Sequence, residues 1–412
     1  MKANKNPRIR RDLEFFPIRQ GNSQFVLVKD HLGLVEEGKA VPWPLYEFMT
    51  LLDGTNTVRD IQMALIRQKG GVLVGADEVE ALLAHLDESF LLDTEKYEHA
   101  RENIVARFGA KTARPCSHSG RSYPDKPADL KSRLDEILKA QTPAPKPEAR
   151  VVALVAPHID LSVGSRVYAS GYQWLKYTSP SRVVVLGVGH QMMGDLFCLT
   201  EKDFETPLGV VKNDRNMVKE LWDAGRAIIS ENDFGHRAEH SVEFQVIFLQ
   251  HLLPEDSFTI IPILCGPLMP SLSGYSRSAY METAGPFLQA LSGILSDGDH
   301  ETLVVAGVDF SHIGPKFGHN MPATHLQSQS EMHDQNLLKA FSNMQTDVFW
   351  EESVRVKDQF NVCGFSAMAC LMEILPPSRG QVLGYEVWHE QPTRSAVSFA
   401  AVGFTAIRES QK

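Results

Sequence analysis

Three apolar runs in this chain each release a histidine within a few residues of their end. Arg150-Val-Val-Ala-Leu-Val-Ala-Pro runs into His158-Ile-Asp160. Arg182-Val-Val-Val-Leu-Gly187 is followed by Val188, Gly189 and His190. Thr302-Leu-Val-Val-Ala-Gly-Val308 is followed by Asp309, Phe310, Ser311 and His312. One histidine beside a strand is ordinarily a buried, hydrogen-bonded side chain. Three at strand ends point to one shared polar site, because open α/β sheets bind ligands beyond the carboxyl ends of their strands.

Two more stretches carry reactive side chains. Glu239-His-Ser-Val-Glu-Phe-Gln245 opens a helix. Its spacing puts Glu239, His240 and Glu243 on one face. A solvated charged face is the plain reading, but Phe244, Val246, Ile247, Phe248 and Leu249 make the rest of the helix apolar. The charged cluster is therefore expected at a polar pocket. Asn361-Val-Cys-Gly364 opens another helix, where backbone dipoles would favour the Cys363 thiolate. A small buried hydrophobe is the alternative role, and it suits mid-helix Cys370 better. There is no Gly-rich phosphate loop and no G-x-S-x-G elbow, and Gly187-Val-Gly189 alone is too short for a nucleotide.

These residues need a scaffold. Val151 to Ala156 read as a buried strand that Pro157 ends, since proline lacks a ladder N–H. From Arg150 onward strands alternate with helices, the pattern of an α/β architecture. Helices are expected over 164–176, 213–224, 239–253 and 365–374, and strands over 258–264, 380–388 and 396–406. Pro262 favours an edge or bulge for its strand. Gln141-Thr-Pro-Ala-Pro-Lys-Pro-Glu148 reads as an extended connector.

At 412 residues the chain exceeds one ordinary core. A net charge of −10 argues against a general nucleic-acid or anionic-membrane binder. The apolar runs are strand-sized, so no membrane span is expected. The basic start, Met1 to Arg11, lacks the apolar centre of a signal peptide, which implies a cytoplasmic protein. The five cysteines form no C-x-x-C pair and are expected to be reduced.

Ahead of the α/β region, residues 1–12 read as a flexible basic arm. Phe25-Val-Leu-Val28 reads as a strand, and short helices are expected over 44–52, from Val58, and over 77–90. Thr57 and Asp60 make a partial capping box. The run Leu51-Leu-Asp-Gly-Thr-Asn-Thr-Val58, Ile61, and Leu82, Leu86 and Phe90-Leu-Leu92 resemble the PqqD-like peptide-recognition domains. That resemblance implies a small α+β, winged-helix-like docking module over 13–95 for a peptide or partner protein, with a linker helix over 96–112.

Residues 113–408 resemble the Memo family, called AmmeMemoRadiSam system protein B in bacteria. The matching motifs keep the family's order: Ser117-His-Ser-Gly-Arg-Ser-Tyr123, Ala156-Pro-His158, Leu186-Gly-Val-Gly-His190, Glu239 to Gln245, Asp309-Phe-Ser-His312, Cys363-Gly364 and Ser395-Ala-Val-Ser-Phe-Ala400. The resemblance implies a class III extradiol dioxygenase-like fold, with a central sheet flanked by helices. It also implies metal ligands at His158, His190 and Cys363, with Glu239, His240, Asp309 and His312 as catalytic neighbours. Iron(II) or copper would suit those donors, and zinc is compatible. Radical-SAM and AMMECR-like proteins, or a peptide, are the partners implied. Asp160 replaces a residue the family usually keeps small, so it becomes a further carboxylate to place, and Gln191 stands where some relatives have a second histidine. The expectation is a metal-dependent redox enzyme. Two alternatives are a non-catalytic peptide- or protein-binding module on the same fold, and a zinc-dependent hydrolase.

Overall fold

The structure is a computed structural model that describes residues 6–21, 23–141, 144–298 and 300–407. The chain divides into two compact units, Met1–Ala110 and Lys111–Lys412. Among the described residues, no helix is long and apolar enough to cross a membrane.

In the first unit, β1 (Leu13–Gln20) and β2 (Ser23–Asp30) pair antiparallel, and β3 (Ala40–Pro42) adds to β2. Helices α1 (Trp43–Met49), α2 (Val58–Gln68), α3 (Ala76–Glu88) and α4 (Glu95–Gly109) follow. Val26, Val28 and Val41 meet Ile61, Val79 and Leu86 in its core. The Thr57 side chain accepts from Asp60 N–H and the Asp60 carboxylate accepts from Thr57 N–H, so the capping box is complete.

Residues 1–5 of the expected basic arm lie outside the described residues, and the following residues correct the expectation of a solvated tail. Arg8 bridges Asp53 and Ile9 bridges Leu92. Arg10 is only 2% exposed. Its guanidinium pairs with Asp12 at 2.8 Å and Asp30 at 2.7 Å, donates to Phe90 O at 2.8 Å, and lies 4.3 Å from the Tyr97 ring centre. A charge leaves water only when its partners replace the lost hydration, and both carboxylates lie close by in sequence or across the hairpin.

The second unit carries β4 (Ala113–Arg114), α5 (Pro127–Leu138), β5 (Val151–Ala156), α6 (Ser165–Tyr172) and β6 (Arg182–Val188). Next come β7 (Phe197–Leu199), β8 (Asp203–Thr206), β9 (Gly209–Asn213), α7 (Arg215–Gly225), α8 (His240–Leu252) and β10 (Thr259–Cys265). The last elements are α9 (Arg277–Leu295), β11 (Thr302–Gly307), β12 (Asp309–Ile313), α10 (Ala323–Ser342), α11 (Thr346–Val356), α12 (Phe365–Ile374), β13 (Ser378–Glu390) and β14 (Ser395–Ala406).

Its eleven-stranded sheet runs β12-β14-β5-β11-β6-β10-β9-β8-β4, with β13 on β14 and β7 on β10. The central strands β5, β11, β6 and β10 are parallel. Every residue of β5, β6 and β11 is buried, as a parallel sheet covered on both faces requires. Helices α5, α6 and α8 contribute to the core on one face, where Tyr168 and Tyr172 stack on Phe248. Helices α7, α9 and α12 contribute to the other, where Phe197 stacks on Phe287.

Three local expectations change. Pro262 sits inside the sheet rather than at an edge, flanked by β6 on one side. On the other side β9 pairs only with Thr259 and Ile260 and β7 with Ile263 to Cys265, so the proline falls in the gap between them. Asp309 to His312 do not lie beyond the sheet after β11; they begin β12, which pairs antiparallel with β14. The Pro-rich stretch is docked where described: Ala144 N–H donates to Gln173 Oε1 at 2.6 Å, and Trp174 Nε1 donates to Pro145 O at 2.8 Å.

Candidate metal centre

Adjacent parallel strands β5, β11 and β6 end side by side, so their carboxyl ends deliver His158, Asp309 and His190 to one place. Helix α8 approaches that edge from one face. Gly307 and Gly187 make this possible: a Cβ on Gly307 would run into Ser241 O and the Gln245 amide, and one on Gly187 into Ser241 Oγ and Val242. Ser241 Oγ accepts from Val188 N–H at 2.9 Å, and Gln245 Nε2 donates to Pro157 O at 3.0 Å. The first turn of α8 is thereby stitched to the ends of β6 and β5. Helix α12 brings Cys363, one residue ahead of its N-cap, from the core of the opposite face.

The donor atoms of His158, His190 and Cys363 all lie within 4.8 Å of one another. His158 is buried, and its Nδ1 lies 2.9 Å from Gly307 O. A carbonyl can only accept, so Nδ1 carries the proton and Nε2 the lone pair. That Nε2 lies 3.5 Å from Cys363 Sγ. Nδ1 of His190 lies 3.0 Å from both oxygens of Glu239, which orients this ring in the same sense.

Around these three stand the other expected residues. Asp309 accepts from His158 N–H at 3.0 Å through one oxygen, and its other oxygen lies 3.5 Å from His158 Nε2. The His240 ring stacks on His190, with centres 4.9 Å apart, and meets His158 edge-on at 5.1 Å. His240 Nδ1 lies 3.3 Å from Glu239. His312 is on β12, its Nδ1 2.9 Å from Phe310 O and its ring edge-on to Phe317. The hydrogen bond that the Asp309 carboxylate accepts comes from the backbone of His158.

Burial sets the protonation states. It pushes His158 and His240 below the usual imidazole range, against the pull of Asp309 and Glu239 respectively. Burial likewise takes His312 down to about 4. All three are neutral imidazoles at neutral pH. Glu239 would be pushed up by its burial, yet the charge and hydrogen bond of His190 hold it well below the usual carboxylate range. The expectation of a dipole-favoured Cys363 thiolate is corrected: burial, reinforced by the charge of Asp309, pushes this thiol well up. In the metal-free site it is a thiol.

Two side chains marked in the sequence work elsewhere. Asp160 accepts from Ser162 N–H at 2.8 Å and from the Ser162 hydroxyl, closing a turn ahead of α6. Glu243, expected with Glu239 and His240 at a polar pocket, is fully buried beneath the site. It pairs with the Arg114 guanidinium and accepts from Tyr123 OH at 2.5 Å, Ser117 Oγ at 2.8 Å and His118 N–H at 2.9 Å. Burial would raise this carboxylate, but Arg114 and these donors hold it well below its ordinary value. The network places a residue that chemistry-led reading of the sequence passed over: the His118 ring lies 5.5 Å from His240. The only signal was its place in the Ser117-His-Ser run.

A second donor group, His190, Glu239 and His240, is also compact. There Glu239 already accepts from Ser241 N–H at 2.9 Å and from His190 N–H at 3.3 Å. Its geometry is that of a carboxylate orienting two imidazoles.

The family model described as Memo-like protein matches residues 114–403. A MEMO1 family protein from Aquifex aeolicus is 31% identical over 398 residues, covering 95% of this chain and 99% of the relative. That alignment is longer than the second unit and so includes residues of the first. A MEMO1 family protein from Thermus thermophilus is 28% identical over 342 residues, covering 83% and 97%. One from Nitrosopumilus maritimus is 26% identical over 262 residues, covering 62% and 84%. With its sheet, its ordered motifs and these matches, the chain belongs to the Memo-like protein family.

Proposed function

We propose that this protein is a metal-dependent oxidoreductase that holds iron or copper through His158, His190 and Cys363. The observation that carries the reading is the convergence of two imidazoles and one thiol within 4.8 Å. Both imidazoles are oriented through Nδ1. The donors fit the metal: imidazole with thiolate suits iron, copper or zinc, and three protein ligands leave coordination positions open. Bound iron or copper would supply redox chemistry and Lewis acidity, with room for substrate or dioxygen.

The chain's own residues then have separate tasks. Gly307 O and Glu239 fix the imidazole tautomers. Asp309 anchors the backbone of His158 and presents its second oxygen beside the ring. His240 and His312, neutral at working pH, present unprotonated ring nitrogens that can accept hydrogen bonds from substrate. Class III extradiol dioxygenase-like chemistry is the closest reaction type this arrangement supports. The resemblance of the first unit to PqqD-like domains supports a peptide as substrate or docking partner, and the family's bacterial naming supports a radical-SAM and an AMMECR-like protein as co-workers.

Metal analysis of anaerobically purified protein tests the reading, with His158→Ala and Cys363→Ala alongside. Near-stoichiometric iron or copper, lost in both variants, is the expected result. Zinc alone would favour hydrolysis. Protein that is metal-free and takes up none of the three would leave a binding module on an enzyme's fold.

A further inference from the structure

The loop that delivers Cys363 is held in an unusual way. Between α11 and Cys363, residues Lys357, Asp358 and Asn361 all have positive φ, at 53°, 52° and 50°. Such backbone persists only where surrounding contacts over-determine it. Here the contacts run to β12 and the turn after it. His312 N–H donates to Phe360 O at 2.7 Å, and Gly364 N–H donates to Asp309 O at 3.1 Å. The Asn361 side chain adds a fork: its Nδ2 donates to His312 O at 3.1 Å and to Phe317 O at 3.1 Å. Asp358 closes the loop from within, accepting from Val362 N–H at 3.2 Å. Asn361 itself faces solvent, so packing does not hold it in place. Asparagine tolerates the left-handed region, and its amide is what the two carbonyls require.

We propose that Asn361 is a positioning residue of the metal centre. Its amide ties the loop carrying Cys363 to the strand carrying His312, so that the thiol is held at the imidazoles before any metal arrives. The proposal rests on the metal-binding reading above, and its test separates the two.

Two variants remove the donor while both tolerate the left-handed backbone. Asn361→Asp keeps size and left-handed tolerance but replaces the amide with an acceptor. Asn361→Gly keeps the φ and removes the side chain. Gln359→Ala, on the same exposed loop, is the control. One readout is cobalt(II) titration followed by the thiolate-to-cobalt charge-transfer band. The other is alkylation of Cys363 by iodoacetamide in metal-free protein, followed by peptide mass spectrometry. With melting temperatures close to wild type, both Asn361 variants are expected to bind cobalt about 10–100-fold more weakly, the scale for a lost orienting partner. They should also show a weaker charge-transfer band and alkylate Cys363 several-fold faster, while Gln359→Ala matches wild type. Wild-type behaviour of both variants in both readouts overturns the proposal, and so does an equal change in Gln359→Ala. If wild type takes up no cobalt, the metal reading falls and alkylation alone decides: faster modification in both variants supports the positioning role, unchanged modification overturns it.

Discussion

Cys363 Sγ lies 3.5 Å from Nε2 of His158, although 205 residues separate them in the chain. The contact joins a neutral imidazole to a protonated thiol, because burial moves the two groups in opposite directions along the pH scale.

Metal uptake should therefore release a proton. At neutral pH the raised thiol is protonated and the lowered His158 is not, so the sulfur is the source. About one proton per metal is expected, with affinity rising roughly tenfold per pH unit below the thiol pKa. Calorimetric titration in buffers of different ionisation enthalpy measures this. Release near zero in wild type, or unchanged release in Cys363→Ala, would remove the sulfur from the ligand set.

Glu243→Gln tests the buried anchor beneath the site. The folded-state carboxyl sits below its unfolded value of 4.5. Its stabilisation is thus present above about that pH and fades as pH falls toward the folded value. Removing the charge strands Arg114 in the interior and should cost about 3–5 kcal/mol at neutral pH. Urea unfolding of both proteins from neutral to acid pH is the check. The gap should narrow below the unfolded carboxyl pKa, and a gap constant with pH would show that Glu243 acts by shape and not by charge.

Asp160→Ala separates a turn from a ligand. Its carboxylate is spent on Ser162, so the variant should lose about 1 kcal/mol of stability, as for a lost cap. Cobalt affinity should stay well short of the roughly 10–100-fold loss that follows a disturbed ligand or orienting partner. A loss on that scale would return Asp160 to the metal site.

Much of the site could be read from the chain because local chemistry marks it. Runs such as Val151 to Ala156 bury both faces of a strand, so the first polar residues beyond them must lie at the sheet's end. That reasoning reaches His158, His190 and Asp309 without any relative. It does not bring Cys363 to them: its position at a helix start marked it as a reactive candidate, but its place beside the histidines depends on α12 packing across the sheet, and only the family resemblance indicated that. The alternation in Asp309-Phe-Ser-His312 is a strand's own period, yet the polar residues read as the end of β11 and not as a new strand. Pro262 misled for a different reason: whether a missing N–H costs anything depends on where β7 and β9 stop, which no local pattern records. The pairing of Glu243 with Tyr123 and His118 remained hidden because these partners lie 120 residues or more away along the chain. Arg10 was mistaken for tail because, of the two carboxylates that receive it, Asp30 becomes a neighbour only once β1 and β2 have paired.

The stitching of α8 to β5 and β6 also sets an order of events during synthesis. Everything that orients the two imidazoles is made by the time β11 is complete, while the thiol comes from a segment more than fifty residues later. At about 5–20 residues per second, the interval between the end of β11 and Cys363 amounts to roughly 3–11 s. If the proposed ligand set holds a metal, the nascent chain would for that time offer the histidines without their sulfur, a harder and more promiscuous donor set than the finished one. On that reading, which metal the protein first meets would be a question of timing on the ribosome as well as of affinity in the folded state.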